Sequence, residues 1–209
     1  MHESVLPKHS LELLNDMESL PAPALRGWTL AGGTGLAFRL NHRVSEDLDF
    51  FRTDDLDVRC LHAELGTLGS YETLQDSEHT LTVILRKTKL SFFRIRDPFL
   101  FSSSAYRFFF LADMRDIALM KLVAISSRGA RKDFIDLYTI LQQPPNLREY
   151  LSLLPSKYDP SRINVYHILK SLTYFKDAEQ EPMPDMRKPF NWTKCKSFFV
   201  REAGTIILQ

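Results

Sequence analysis

The 209-residue chain has little of several things that would assign it at once. It holds two cysteines, Cys60 and Cys195, far apart and without any Cys-x-x-Cys pair. A disulfide framework and a cysteine zinc site therefore find no support, and the expectation is a reducing, cytoplasmic setting. No run approaches the roughly 18 apolar residues of a membrane span, and Met1 to Leu20 has no signal-peptide apolar core. No membrane partner is expected. Net charge is also nearly absent, with 27 Lys+Arg against 26 Asp+Glu, a formal +1. Global charge therefore draws no nucleic acid, and any such contact must use a local patch. Glycine is scarce, yet four of the eight (Gly27, Gly32, Gly33, Gly35) crowd into one short stretch.

What is present is ordinary globular material: 44% apolar and 25% charged residues, with no internal repeat. A chain of this length should bury roughly 70% of the surface its unfolded form exposes. Leu11, Leu14 and Met17 recur at helical spacing after Ser10, and Pro21 and Pro23 end that helix. Trp28 to Ala31 reads as a strand, Thr34 to Asn41 as a helix and Asp47 to Phe51 as a strand. Val58 to Leu65 reads as a helix. Thr80–Arg86 and Thr88–Ile95 read as antiparallel strands about a turn at Arg86-Lys87. From Leu111 the period becomes helical: residues 113–127, 132–142, 147–154, 163–175 and 195–208 are expected helices, with a proline-rich loop over 177–189. The fold expected is α+β, with a mixed sheet and flanking helices over residues 1–110 and a helical domain over 111–209.

The informative unit is Ala31-Gly32-Gly33-Thr34-Gly35, followed by Ser45-Glu46-Asp47-Leu48-Asp49. A strand, a glycine turn and a helix start can set backbone N–H groups against phosphate. Fourteen residues after Gly33 stands Asp47, and alternation puts Asp47 and Asp49 on one strand face. Two carboxylates so placed can hold Mg²⁺, which prefers hard oxygen ligands and keeps waters and substrate phosphates in its shell. The plain alternative is an edge strand with a solvated acidic face. Two other glycine motifs fail. GxxxxGK[ST] does not occur, and Phe38 stands where a dinucleotide fingerprint needs Gly or Ala.

The run GGTGLAFRLNHRVSEDLDFF resembles the first motif of the polymerase-β-type nucleotidyltransferases, and most closely the AbiEii/AbiGii branch, toxins of type IV toxin–antitoxin systems. DIALMKLVAISSRGARKDFIDLY resembles that branch's later motifs, a lysine-bearing helix and then Arg-x-x-x-Lys-Asp-x-x-Asp. The resemblance implies a polymerase-β-like domain followed by a helical one, with the active-site cleft between them. It implies transfer of a nucleoside monophosphate from NTP to an acceptor, which in some relatives is tRNA, and an antitoxin partner. Gly32, Gly33 and Thr34 would face the triphosphate, Asp47 and Asp49 would hold Mg²⁺, and Lys121 would be the active-site lysine. Asp133 and Asp136 match the final motif, with Asp136 the expected general base.

Arg43 and Arg131 are further candidates for phosphate. Ser91 stands where many relatives carry a third carboxylate. That leaves three readings: one Mg²⁺ suffices, Asp136 or Asp133 supplies the base, or the chain binds nucleotide without transferring it. The last makes the protein an NTP-binding module acting through a partner. Lys121 sits among apolar neighbours and needs either to snorkel or to find a charged partner. Phe92-Phe93 and Phe108-Phe109-Phe110 read as core rather than base-stacking platforms. The cluster Arg187, Lys188, Lys194, Lys196 and Arg201 near Trp192 reads as a solvated helix face ahead of an RNA-backbone track, which would show steep salt dependence.

Overall fold

Alternation along Leu48–Arg52 sorts its side chains between two faces, with Leu48 and Phe50 at 0% and 1% exposure and Asp49 and Phe51 half-buried. The same sorting recurs on neighbouring strands and builds one core on one face of a sheet. The computed structural model describes residues 1–206; the end of the expected last helix, Leu208, lies outside them. The chain divides into two compact units, Met1–Asp113 and a second from Met114 onward.

The first unit contains α1 (Lys8–Ser19), β1 (Thr29–Leu30), α2 (Gly32–Leu40), β2 (Leu48–Arg52), α3 (Val58–Gly66), β3 (Tyr71–Ser77), β4 (Thr80–Leu85), β5 (Thr88–Arg94), β6 (Ser104–Tyr106) and β7 (Phe109–Leu111). Its sheet runs β3-β4-β5-β2-β1-β7-β6. β2 is parallel to β5 and antiparallel to β1, and β1 is parallel to β7. Leu48, Phe50, Leu90, Phe92, Leu81 and Val83 join Leu13, Leu14 and Met17 of α1 in the core. Phe50 stacks on Phe92 at 5.4 Å, and Trp28 meets Phe92 edge-on at 5.1 Å. Phe38, whose bulk excluded the dinucleotide motif, is fully buried.

The Arg86-Lys87 turn joins β4 to β5 as expected, both residues at positive φ (49° and 65°). That is the double left-handed turn matching strand twist. Three strands go beyond the sequence expectation: β3 and the hairpin β6–β7. α2 also starts earlier than expected, at Gly32 itself, so the glycines form its first turn.

The second unit holds α4 (Met114–Arg128), α5 (Arg131–Ile140), α6 (Leu147–Lys157), α7 (Val165–Ser171), α8 (Lys176–Gln180) and α9 (Trp192–Gly204). α8 runs into the start of the segment expected to be loop, and α9 starts three residues before its expected beginning. Asn146 and Glu149 form a reciprocal capping box that starts α6. Phe134 anchors an aromatic cluster with Phe175, Trp192 and Phe199. Asp116 of α4 and Lys157 of α6 form a buried ion pair at 2.7 Å, their side chains 0% and 2% exposed.

Candidate active site

The glycine bend and the acidic strand are stitched together by their own backbones. Ala31 N–H donates to the Asp49 carbonyl at 3.1 Å, and Gly35 N–H donates back to Ala31 at 3.0 Å, closing the first turn of α2. The first N–H groups of a helix have no partner inside it, and its N-terminus carries partial positive charge. Gly32, Gly33 and Thr34 are those residues here.

Both glycines leave room for what lies over them. Gly32 has φ +63°, and a Cβ there would come within 2.9 Å of Asp49 Oδ2. A Cβ on Gly33 would meet Arg43 Nη2 at 2.2 Å. The Asp49 carboxylate and the Arg43 guanidinium therefore both rest on the bend. Arg43 is 4% exposed and donates to the Val44 carbonyl at 2.9 Å. The Thr34 hydroxyl hydrogen-bonds Ser45 Oγ at 2.8 Å and donates to the Asp47 carbonyl, holding the approach to β2 in place. Thr34 is thus a stitch through its side chain, which leaves its backbone N–H, in the first turn of α2, as its remaining donor.

Asp47 precedes β2 and Asp49 lies within it, and both are half-buried. Two acids one residue apart fit a cation that binds through one or two carboxylates and completes its shell with waters and phosphate oxygens. Among the described residues, no group of three or more His, Cys, Asp or Glu gathers around a metal position. Any cation here would rely on Asp47 and Asp49 and on its substrate.

The second unit contains its own charge cluster. Lys121 Nζ lies 2.7 Å from Asp133 Oδ1 and 2.6 Å from Asp136 Oδ2. Arg128 adds Nε to Asp133 Oδ2 at 2.7 Å and Nη2 to Oδ1 at 3.0 Å. The two aspartates are 0% exposed and Lys121 6%. Burial pushes the Asp133 carboxyl up, but the Lys121 charge and the Arg128 hydrogen bonds prevail, leaving it below the ordinary aspartate value. Lys121 thus resolves its apolar surroundings by pairing rather than snorkelling. Asp136, expected to act as base, reaches no solvent and holds Lys121. That placement fits a holder of the lysine better than an acceptor of a substrate proton.

Arg131, expected at phosphate, is committed elsewhere. Its Nε donates to the Ala178 carbonyl at 2.7 Å, Nη2 donates to the Glu179 carbonyl at 3.2 Å, and the guanidinium lies 5.1 Å from the Trp192 ring centroid. It clamps α5 to α8 and α9. Ser91 is in register with Asp49, as its expected relation to the acids requires. Sequence reasoning missed Ser45 and the packing of Arg43 on Gly33. The signal for both was their proximity to Asp47 in the chain.

Residues 17–113 match the family described as nucleotidyl transferase AbiEii toxin, type IV TA system. The uncharacterized protein aq_aa25 of Aquifex aeolicus is 36% identical over 202 residues, covering 94% of this chain and 95% of its own. Among solved structures, JHP933 from Helicobacter pylori shares 19% identity at a TM-score of 0.53, over 95% of this chain and 92% of its own. MenT4, a nucleotidyltransferase toxin from Mycobacterium tuberculosis, shares 14% identity at a TM-score of 0.58, over 96% of this chain and 87% of its own. These two show the same fold. Among the described residues, no helix is long and apolar enough to cross a membrane. With its glycine bend and acidic strand inside the matched segment, the chain belongs to the AbiEii family of nucleotidyltransferase toxins.

Proposed function

We propose that this nucleotidyltransferase transfers a nucleoside monophosphate from an NTP to an acceptor with Mg²⁺, that the acceptor is RNA, with tRNA the first candidate, and that an antitoxin partner restrains it. The observation that carries the reading is the contact between bend and acid, Asp49 Oδ2 lying 2.9 Å from where a Gly32 Cβ would sit. It sets positive helix-start N–H groups and a cation-binding carboxylate beside one another, which is what a charged triphosphate needs.

Asp47 and Asp49 would hold the Mg²⁺, which when bound supplies charge neutralisation for the phosphates. The Gly32, Gly33 and Thr34 N–H groups receive phosphate oxygens, and Arg43 adds a fixed cation at the same bend. In the reaction the acceptor hydroxyl oxygen bonds to the α-phosphorus and gives its proton to solvent, the bond from the α-phosphorus to the bridging oxygen breaks, and pyrophosphate leaves. Lys121 is the lysine that the family motif assigns to the triphosphate. Asp133 and Asp136 hold its ammonium, and we assign Asp136 that positioning role.

The test incubates the protein with α-labelled NTPs, Mg²⁺ and total cellular RNA. Transfer predicts labelled RNA, lost in Asp49→Ala. Tight NTP binding without label in any macromolecule would instead make the chain a nucleotide-binding module, and label in protein would replace RNA as the acceptor.

A further inference from the structure

Ser91 on β5 pairs in register with Asp49 on β2 and with Thr82 on β4. Register partners on neighbouring strands project from the same face. A polar row, Asp49–Ser91–Thr82, therefore crosses the sheet on the face opposite Leu90 and Phe92. Ser91 is 1% exposed and Thr82 5%. The Ser91 hydroxyl has no hydrogen-bond partner in the protein. Buried hydroxyls are partnered in native proteins, by protein groups or by ordered water. By register Asp49 and Thr82 flank Ser91 on this face, so a water bound by its hydroxyl would draw its further hydrogen bonds from them.

We propose that Ser91 is a positioning residue for the divalent cation: its buried hydroxyl anchors a water beside Asp49, and the cation that Asp47 and Asp49 bind takes that water into its shell. The inference rests on the assignment of Asp47 and Asp49 under Proposed function. Its physical basis is twofold. Mg²⁺ keeps several of its waters when only two carboxylates bind it. Groups that orient a metal's ligands from the next layer out typically change metal affinity by about 10–100-fold. A neutral hydroxyl suits this task because it accepts from or donates to water without adding charge beside Asp49.

The test titrates the full-length protein with Mn²⁺ alone, without nucleotide, reading free Mn²⁺ by electron paramagnetic resonance. Circular dichroism checks that each variant is folded. Ser91→Ala is expected to weaken Mn²⁺ by about tenfold or more, and Ser91→Thr, which keeps the hydroxyl, to restore affinity to within about twofold of the native protein. Asp49→Asn is expected to abolish binding. If Asp49→Asn abolishes binding while Ser91→Ala binds like the native protein, the role given to Ser91 is overturned and the carboxylate reading stands. If Ser91→Ala and Ser91→Thr are weakened alike, the hydroxyl is not the cause and the proposal also falls. If the native protein binds no Mn²⁺, the carboxylate reading is overturned and this one with it.

Discussion

At the scale of single residues, the bend concentrates function in two missing side chains. Gly33 leaves room for Arg43 Nη2, and an alanine there would bring Cβ to 2.2 Å from it. The obstacle is the far end of a flexible side chain, so Gly33→Ala should fold but displace the guanidinium. A charge-assisted hydrogen bond to phosphate is worth about 1.5–3 kcal/mol, so KM for NTP should rise about 10–100-fold. Arg43→Ala should match it, and the double variant should add little, because both remove one contact. Additive losses would place Arg43 away from the phosphates. The cysteines give a second residue-scale prediction. Cys195 is buried and its thiol is pushed up to about 12 by that burial, whereas Cys60 is exposed. The Asp57 side chain also raises the Cys60 thiol, through hydrogen bonding and its charge. A disulfide-exchange reagent should titrate one thiol in the folded protein, faster as pH rises, and two in denaturant. Two native thiols would mean Cys195 is not enclosed.

At the scale of elements, legibility followed burial pattern. β2, β4 and β5 are built on buried apolar positions, and the sequence reading found them. β3 is exposed at six of its seven positions and carries no alternation to read. The β6–β7 hairpin turns on Arg107 at φ 50°, with neither Gly nor Asn to announce a left-handed turn. Asp47 and Asp49 were legible because their spacing is local, but the clamp that occupies Arg131 was not, since its partners lie 47 and 48 residues away. The same blindness hides the Asp116–Lys157 pair, 41 residues apart. That pair joins α4 to α6 with almost no solvent contact, so removing one partner takes a close countercharge away from a buried ion. Lys157→Ala should cost about 3–5 kcal/mol, seen as a lower urea midpoint. Replacing both by apolar residues, Asp116→Leu with Lys157→Met, should recover most of it. A double variant no better than the single one would show that other contacts of these side chains carry the energy.

At the scale of the whole molecule, with 27 basic and 26 acidic residues, stability against acid depends on which carboxylates are held below their ordinary values. Four among the described residues are clearly so: Asp133, Asp57, Asp159 and Glu179. Asp57 and Asp159 are lowered first by backbone N–H groups, of Cys60 and Ser161, and Glu179 by the Lys196 side chain. These three are exposed, so solvent and salt screen them and their share is small. Asp133 is buried, and its share is not screened in that way. A carboxyl with a depressed folded value is ionised in the folded state where the unfolded chain, near pH 3.9 by reference, has begun to bind protons. Unfolding then takes up protons, and stability rises with pH across that window. The Asp133 contribution is complete above about pH 5 and is lost as pH falls through its folded value. Asp133→Asn should therefore lower the urea midpoint most at pH 7, and the gap should narrow as pH falls below about 3.9, where the unfolded native chain takes up the proton that folded Asp133 resists. Asp57→Asn should instead give a small, salt-sensitive change. A gap for Asp133→Asn that stays constant from pH 7 to pH 3 would show that its carboxylate charge is not what stabilises the Lys121 cluster.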